Sequence, residues 1–184
     1  RLDAEVIAEG APEHDDGVRC IVITGVGRAF STGGDVKVMA DLATRGDAEQ
    51  FEKLVRAGAT IARRIDRMDK PVIAAVNGPA AGAGACLALA CDLRIASETA
   101  SIGFTFIRVG LHPDWGGSYF LPRLIGPALA MELILTGGMI SSERAERLGI
   151  FNRVVASEDL EASARTLAGQ IAAGPAHLVT AIKR

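Results

Sequence analysis

The chain has 184 residues, a net charge of -2 and hydrophobic residues at 49 % of positions. That suits one domain with a sizeable core and supplies no field that would draw in nucleic acid or an anionic membrane surface. No apolar run is long enough to span a bilayer.

Cys20, Cys86 and Cys91 are odd in number and lack CxxC spacing, which argues against disulfides and zinc and fits a reducing, cytoplasmic setting. The opening Arg1-Leu2-Asp3-Ala4-Glu5 carries no signal-peptide pattern. In chain order, residues 2–10 read as the end of a helix and His14-Asp15-Asp16-Gly17 as a polar turn. A strand is expected over 18–24, a short helix over 35–39 and a longer one over 47–67. In the longer helix Phe51, Leu54, Val55, Ile61 and Ile65 share a face, with Arg56, Arg63, Arg64 and Arg67 turned outward. Residues 71–76 are apolar on both alternating faces, as in a strand buried on both sides.

A buried Ala-rich helix over 82–90, a strand over 92–96 and a short irregular β segment over 101–110 follow. Residues 111–117 form a loop that launches a helix over 118–124, and Gly126-Pro127 breaks the chain before another helix over 128–135. Ser141-Ser142-Glu143-Arg144 has the pattern of a helix start, with Glu143 favourable in its first turn. Residues 152–155 make a last strand, 158–173 a helix, and Gly174-Pro175 begins one running to Arg184. Strand, turn and helix alternate without a linker, which predicts one α/β domain over 1–184.

Two glycine-rich turns follow apolar strands. The first is Gly25-Val26-Gly27-Arg28-Ala29-Phe30-Ser31-Thr32-Gly33-Gly34-Asp35; the second is Asn77-Gly78-Pro79-Ala80-Ala81-Gly82-Ala83-Gly84-Ala85. Neither is a dinucleotide fingerprint, because Phe30 and Leu87 stand where the third glycine of GxGxxG belongs. No GxxxxGK[ST] or GxSxG is present, which excludes P-loop ATPases and α/β-hydrolases. Turns of small residues let backbone N–H groups reach a ligand, and a helix start behind them adds unpaired donors and partial positive charge. Two such turns can direct one N–H each at a single developing oxyanion, as acyl chemistry requires.

Taken together, three segments resemble the crotonase (enoyl-CoA hydratase/isomerase) superfamily. They are Ala29-Phe30-Ser31-Thr32-Gly33-Gly34-Asp35-Val36-Lys37, Asn77 through Gly84, and Gly110-Leu111-His112-Pro113-Asp114-Trp115-Gly116-Gly117. Leu133-Ile134-Leu135-Thr136-Gly137-Gly138 and Ala145-Glu146-Arg147-Leu148-Gly149-Ile150 extend the resemblance over nearly the whole chain. It implies an α/β spiral of ββα units, assembled as a homotrimer or a dimer of trimers, and an acyl-CoA thioester as partner. The thioester carbonyl would receive the backbone N–H groups of Thr32 and Ala83. Ala29, Ser31, Gly33, Gly34, Asp35, Val36, Gly82, Phe106 and Trp115 are the positions it implies around the substrate. No metal or redox cofactor is implied, coenzyme A being part of the substrate. The superfamily's N-terminal hairpin and C-terminal helical region are not expected within these residues.

The acid/base positions depart from the hydratase pattern. Hydratases of the family carry two glutamates where this chain has Cys86 and Phe106, and hydration needs a water held between two carboxylates. Asp114 remains, in a loop position resembling that of single-carboxylate isomerases, including ring-epoxide and dienoyl-CoA isomerases. One carboxylate can take a proton at one carbon and return it two carbons away. Phe104, Phe106 and Trp115 are expected to surround it and raise its pKa. Asp114 also suits a helix N-cap before Trp115-Gly116-Gly117.

Cys86 reads as a thiol activated by a helix N-terminus or as an inert buried residue; the lack of a His partner favours the second. His112 is expected to pack or cap its loop, His14 and His177 to lie on the surface, and Lys37 to meet CoA phosphates or stay solvated. Enoyl-CoA isomerisation is the expected activity. Hydration, nucleophilic use of Asp114 as in the superfamily's aryl-CoA dehalogenases, and idle acyl-CoA binding are the alternatives.

Overall fold

The computed structural model describes residues 4–6 and 15–184. The chain begins with strands β1 (Ala4–Val6) and β2 (Ile21–Gly25), then helices α1 (Val36–Arg45) and α2 (Ala48–Arg67). Next come β3 (Val72–Val76), β4 (Pro79–Ala81), α3 (Ala83–Ala90), β5 (Leu93–Ser97) and β6 (Ser101–Gly103). A 3-10 helix (Thr105–Val109) leads to α4 (Gly117–Ile125), α5 (Pro127–Thr136), β7 (Met139–Ser141) and α6 (Ser142–Arg147). The chain continues through β8 (Arg153–Val155), a 3-10 turn (Ser157–Asp159), α7 (Leu160–Ala172) and α8 (Ala176–Lys183).

The main sheet has the order β1-β2-β3-β5-β8, with β1 antiparallel and the rest parallel. All five residues of β3 are buried, as its two-sided apolar pattern requires. One face (Val72, Ala74, Val76) packs on α3 and the helices beyond it. The other (Ile73, Ala75) meets Leu160 and Ala164 of α7. A small second sheet, β4-β6-β7, pairs Ala80 with Ile102 and Ile102 with Ile140. It holds the second glycine turn against the rest of the fold.

Several expectations shift. Ala4–Val6 is a strand where residues 2–10 read as a helix end: it pairs along the sheet edge, Ala4 opposite Gly25 and Val6 opposite Ile23. The remainder of that segment, with His14, lies outside the described residues. Strands β4 and β7 were not expected, because three-residue strands such as Pro79-Ala80-Ala81 lack β-branched residues and form only through their partners. The irregular β segment divides into β6 and the 3-10 helix, which Gly110 ends at φ 71°.

The short helix continues to Arg45, where Gly46 closes it in the left-handed conformation. In α2 the buried residues are Gly58, Ala62 and Ile65, while Leu54 and Ile61 are exposed. That helix faces a cavity along part of its length instead of the core. Among the described residues no helix is long and apolar enough to cross a membrane.

Candidate active site

The two glycine turns interlock through their backbones. The N–H groups of Phe30 and Ser31 donate to the Pro79 carbonyl at 3.1 and 3.3 Å, and the Ala81 N–H donates to the Ser31 carbonyl at 2.9 Å. Gly84 lies on that same carbonyl, so closely that a Cβ there would collide with it. Gly33 (φ +94°) and Gly82 (φ 55°, ψ -120°) hold conformations that side chains resist. A Cβ on Gly33 would also press on the Ala83 nitrogen at 3.3 Å.

The product of this packing is a pair of open donors. The Thr32 N–H donates to nothing among the described residues. Ala83 is the first residue of α3, so no carbonyl of its own helix serves its N–H. Both residues line the same cavity of about 260 Å³.

Around them the walls are mostly apolar. Gly33, Gly34, Asp35 and Val36 continue from the first turn, and Gly82 from the second. Met39 of α1 and Leu54 and Val55 of α2 form one side; Thr105, Phe106 and Val109 of the 3-10 helix form another. Leu111, Asp114 and Trp115 close the remainder. The Trp115 indole packs so closely on α2 that a Cβ at Gly58 would collide with the ring system. Asp35 also caps α1, its Oδ1 accepting the N–H groups of Lys37 and Val38 at 3.0 and 3.2 Å.

Asp114 is half-buried on this apolar wall. Burial pushes its pKa above the ordinary aspartate value; the N–H groups of Asp114 and Trp115 and the charge of His112 pull partly the other way. The N-cap reading is corrected: Gly116 caps α4, with no side-chain hydrogen bond at that cap. Asp114 lines the cavity, its carboxyl met by its own N–H and that of Trp115. Cys86, in α3, is fully buried with Ala83, Phe106, Leu111 and Trp115 around it. Burial pushes its thiol up to about 12, against a hydrogen bond from the Gly117 N–H, and the nearby Asp114 charge adds to the rise. It is a neutral thiol.

Most of the residues expected around the substrate do line the cavity. Ala29 and Ser31 do not: they form the crossing between the turns, below the lining. Phe104, expected beside Asp114, is 1 % exposed and belongs to the main core instead. Lys37 and His112 are exposed and off the lining, as is His177 on α8. Met39, Leu54, Val55, Thr105, Val109 and Leu111 were not foreseen. The apolar stripe of α2 was visible in sequence but pointed to the core, so only the fold could reassign it.

Comparison with known proteins gives a consistent picture. A family model described as enoyl-CoA hydratase/isomerase matches residues 7–184. Crotonyl-CoA hydratase of Syntrophomonas wolfei is 40 % identical over 162 residues, covering 88 % of this chain and 61 % of that protein. 1,2-Epoxyphenylacetyl-CoA isomerase of Escherichia coli is 40 % identical over 172 residues, covering 94 % and 66 %. The chain thus spans less than two thirds of the length of these relatives. Among solved structures, an enoyl-CoA hydratase from Bacillus anthracis superposes with a TM-score of 0.88 at 38 % identity, covering 93 % of this chain and 65 % of that one.

Proposed function

The chain belongs to the enoyl-CoA hydratase/isomerase family, and from that premise we propose that it isomerises an enoyl-CoA thioester, with Asp114 carrying the proton. The observation that supports this most directly is the company Asp114 keeps. It shares one apolar cavity with the open N–H groups of Thr32 and Ala83, while Asp35, the other carboxylate on the lining, is occupied in capping α1.

In this reading the thioester oxygen accepts both N–H groups. The Asp114 carboxylate removes a proton from the α carbon, and the electron pair moves onto the thioester as an enolate. The two donors hold the new charge, an effect worth about 3–4 kcal/mol for each in acyl chemistry. Asp114 then returns the proton at the γ carbon, the enolate pair flows back, and the double bond has moved one place toward the carbonyl. The apolar walls raise the affinity of Asp114 for the proton it must carry. No metal or redox cofactor takes part.

Hydration is the second reading, since one of the relatives above is a crotonyl-CoA hydratase. It is disfavoured by Cys86 and Phe106, which stand where a second carboxylate would hold the water, and by the engagement of Asp35 in capping α1. We further propose a cytoplasmic enzyme that assembles as a trimer or a dimer of trimers.

Incubation of the protein with trans-3-enoyl-CoA and trans-2-enoyl-CoA tests these readings. Isomerisation should exceed hydration, and binding without turnover would instead favour an idle acyl-CoA-binding protein. Asp114→Asn keeps the shape but cannot accept a proton. It should lower kcat by roughly a hundredfold or more with binding little changed. Deuterium should enter the α or γ carbon with the parent protein and not with the variant; turnover of 3-enoyl-CoA by Asp114→Asn at the parent rate would exclude the proton-shuttle role.

A further inference from the structure

At the far end of α3 from the site lies a buried arginine whose side-chain hydrogen bonds all go to carbonyl oxygens. Arg94, on β5, is 4 % exposed. Its Nε donates to the Ile150 carbonyl at 2.7 Å, and its Nη1 to the Cys91 carbonyl at 2.6 Å and to those of Ala88 and Leu89 at 3.5 Å. Its Nη2 reaches the Asp92 carbonyl at 3.5 Å. A buried guanidinium normally meets a carboxylate; this one is met by backbone dipoles, most of them from the end of one helix.

That helix lacks the usual closures. Cys91 leaves α3 in extended conformation, and the Asp92 N–H turns away to the Val72 carbonyl at 2.9 Å. No basic residue stands in the last turn of α3 itself, and all eight of its residues are buried. The carbonyls at its end are therefore served chiefly by Arg94. Arg94 is in turn fixed by Asn152, whose Oδ1 accepts the Arg94 N–H at 2.8 Å. The front of α3 is set by Gly84 on the Ser31 carbonyl and by the Gly82 N–H on the Gly103 carbonyl at 2.9 Å. The helix is a short rod, about 12 Å long at 1.5 Å per residue, clamped at both ends.

We propose that Arg94 is a positioning residue for the acyl-CoA reaction: by gripping the rear of α3 it holds the Ala83 N–H on the thioester oxygen at the front. The inference rests on the oxyanion reading of Thr32 and Ala83. Its guanidinium also sets a positive charge at the negative pole of the helix, sustaining the polarity that α3 presents to the substrate. Without it the rear carbonyls are orphaned, and the rod can shift along its axis. A displacement of about 1 Å at the reacting group is enough to cost a hundredfold in rate.

Cinnamoyl-CoA provides the test, because polarisation of its conjugated carbonyl moves its absorption to longer wavelength. The parent protein should shift the spectrum of the bound probe. Arg94→Gln should lose most of the shift and lower kcat for 3-enoyl-CoA by about a hundredfold, with KM within about threefold. Arg94→Lys, with fewer and differently aimed donors, should retain part of both. Ser142→Ala, which removes a buried hydroxyl–carbonyl bond to Glu98 outside the cavity, should lower Tm without changing the shift. Parent-like shift and kcat in Arg94→Gln overturn the proposal, as does a parent-like Arg94→Lys if the glutamine variant does not fold. Absence of any shift in the parent protein overturns the oxyanion reading itself, and the proposal with it.

Discussion

Asp114 has its pKa raised by burial, and this has consequences in two assays. As the proposed base it must be ionised, so kcat/KM should fall on the acid side with a midpoint above the ordinary aspartate value of about 3.9. For stability the sign is opposite to that of a salt-bridged carboxylate. A group that holds its proton more tightly folded than unfolded favours folding below the unfolded pKa, and that contribution is lost as pH rises through the folded value. Ionised Asp114 therefore weakens the fold at neutral pH. Asp114→Asn should raise Tm at neutral pH, with the gain shrinking toward about pH 4; calorimetry that finds no gain would remove the burial account. Cys86 behaves differently: a thiol held near 12 has no base or nucleophile to offer at neutral pH. Cys86→Ala should keep most of the activity and lose on the order of 1 kcal/mol of stability. A fall in kcat of a hundredfold or more in a folded variant would point to thiol chemistry. Thr32, Ala83 and Asp114 were picked out through the resemblance of their local strings to the family, and the fold brings all three to one cavity. The burial of Phe104 was not legible in sequence, since nothing local separates a cavity aromatic from a core aromatic.

Helix α2 was the most legible element in extent and among the least legible in purpose. Asp47 caps it, its Oδ1 accepting the Gln50 N–H at 3.2 Å, close to where the sequence placed the start. Its inward stripe, however, is Gly58, Ala62 and Ile65, with Leu54 and Val55 turned onto the cavity. Gly58 gave no sign of its use, because a helical glycine reads as a weakness until the indole lying on it is seen. Gly58→Ala should make a better helix and a worse protein. The added methyl has to displace Trp115, at a cost of about 1–3 kcal/mol from overpacking, and KM should rise as the ring moves into the cavity. Combining it with Trp115→Leu should restore stability beyond what the single changes predict, and a purely additive pair would mean that the two residues do not share the space. Strands β4 and β7 were missed for a related reason: their three-residue length leaves pairing, not composition, to define them.

At the scale of the molecule, an apolar face remains uncovered. Met131 and Leu135 of α5 are 57 % and 60 % exposed, and Ile107 on the adjoining 3-10 helix is 51 % exposed. Such a surface supports the proposed assembly, and Val109 of the same 3-10 helix is also a cavity wall. Sedimentation velocity should find a trimer or hexamer, and Leu135→Glu should shift it toward monomer; a stable monomer of the parent protein would end the assembly reading. The sheet order, by contrast, could be anticipated only as alternating α/β, because the β1 pairing and the small sheet depend on contacts between distant segments. The interlocked glycine turns carry one more consequence, which concerns inheritance. The donors at Thr32 and Ala83 belong to the main chain, so single-base changes at those two codons leave both N–H groups in place unless they introduce proline. The vulnerable codons are those of Gly33, Gly82 and Gly84, whose positive φ or close approach a side chain would disrupt. Side chains around the cavity, Asp114 among them, can therefore be exchanged while the two N–H groups stay in place.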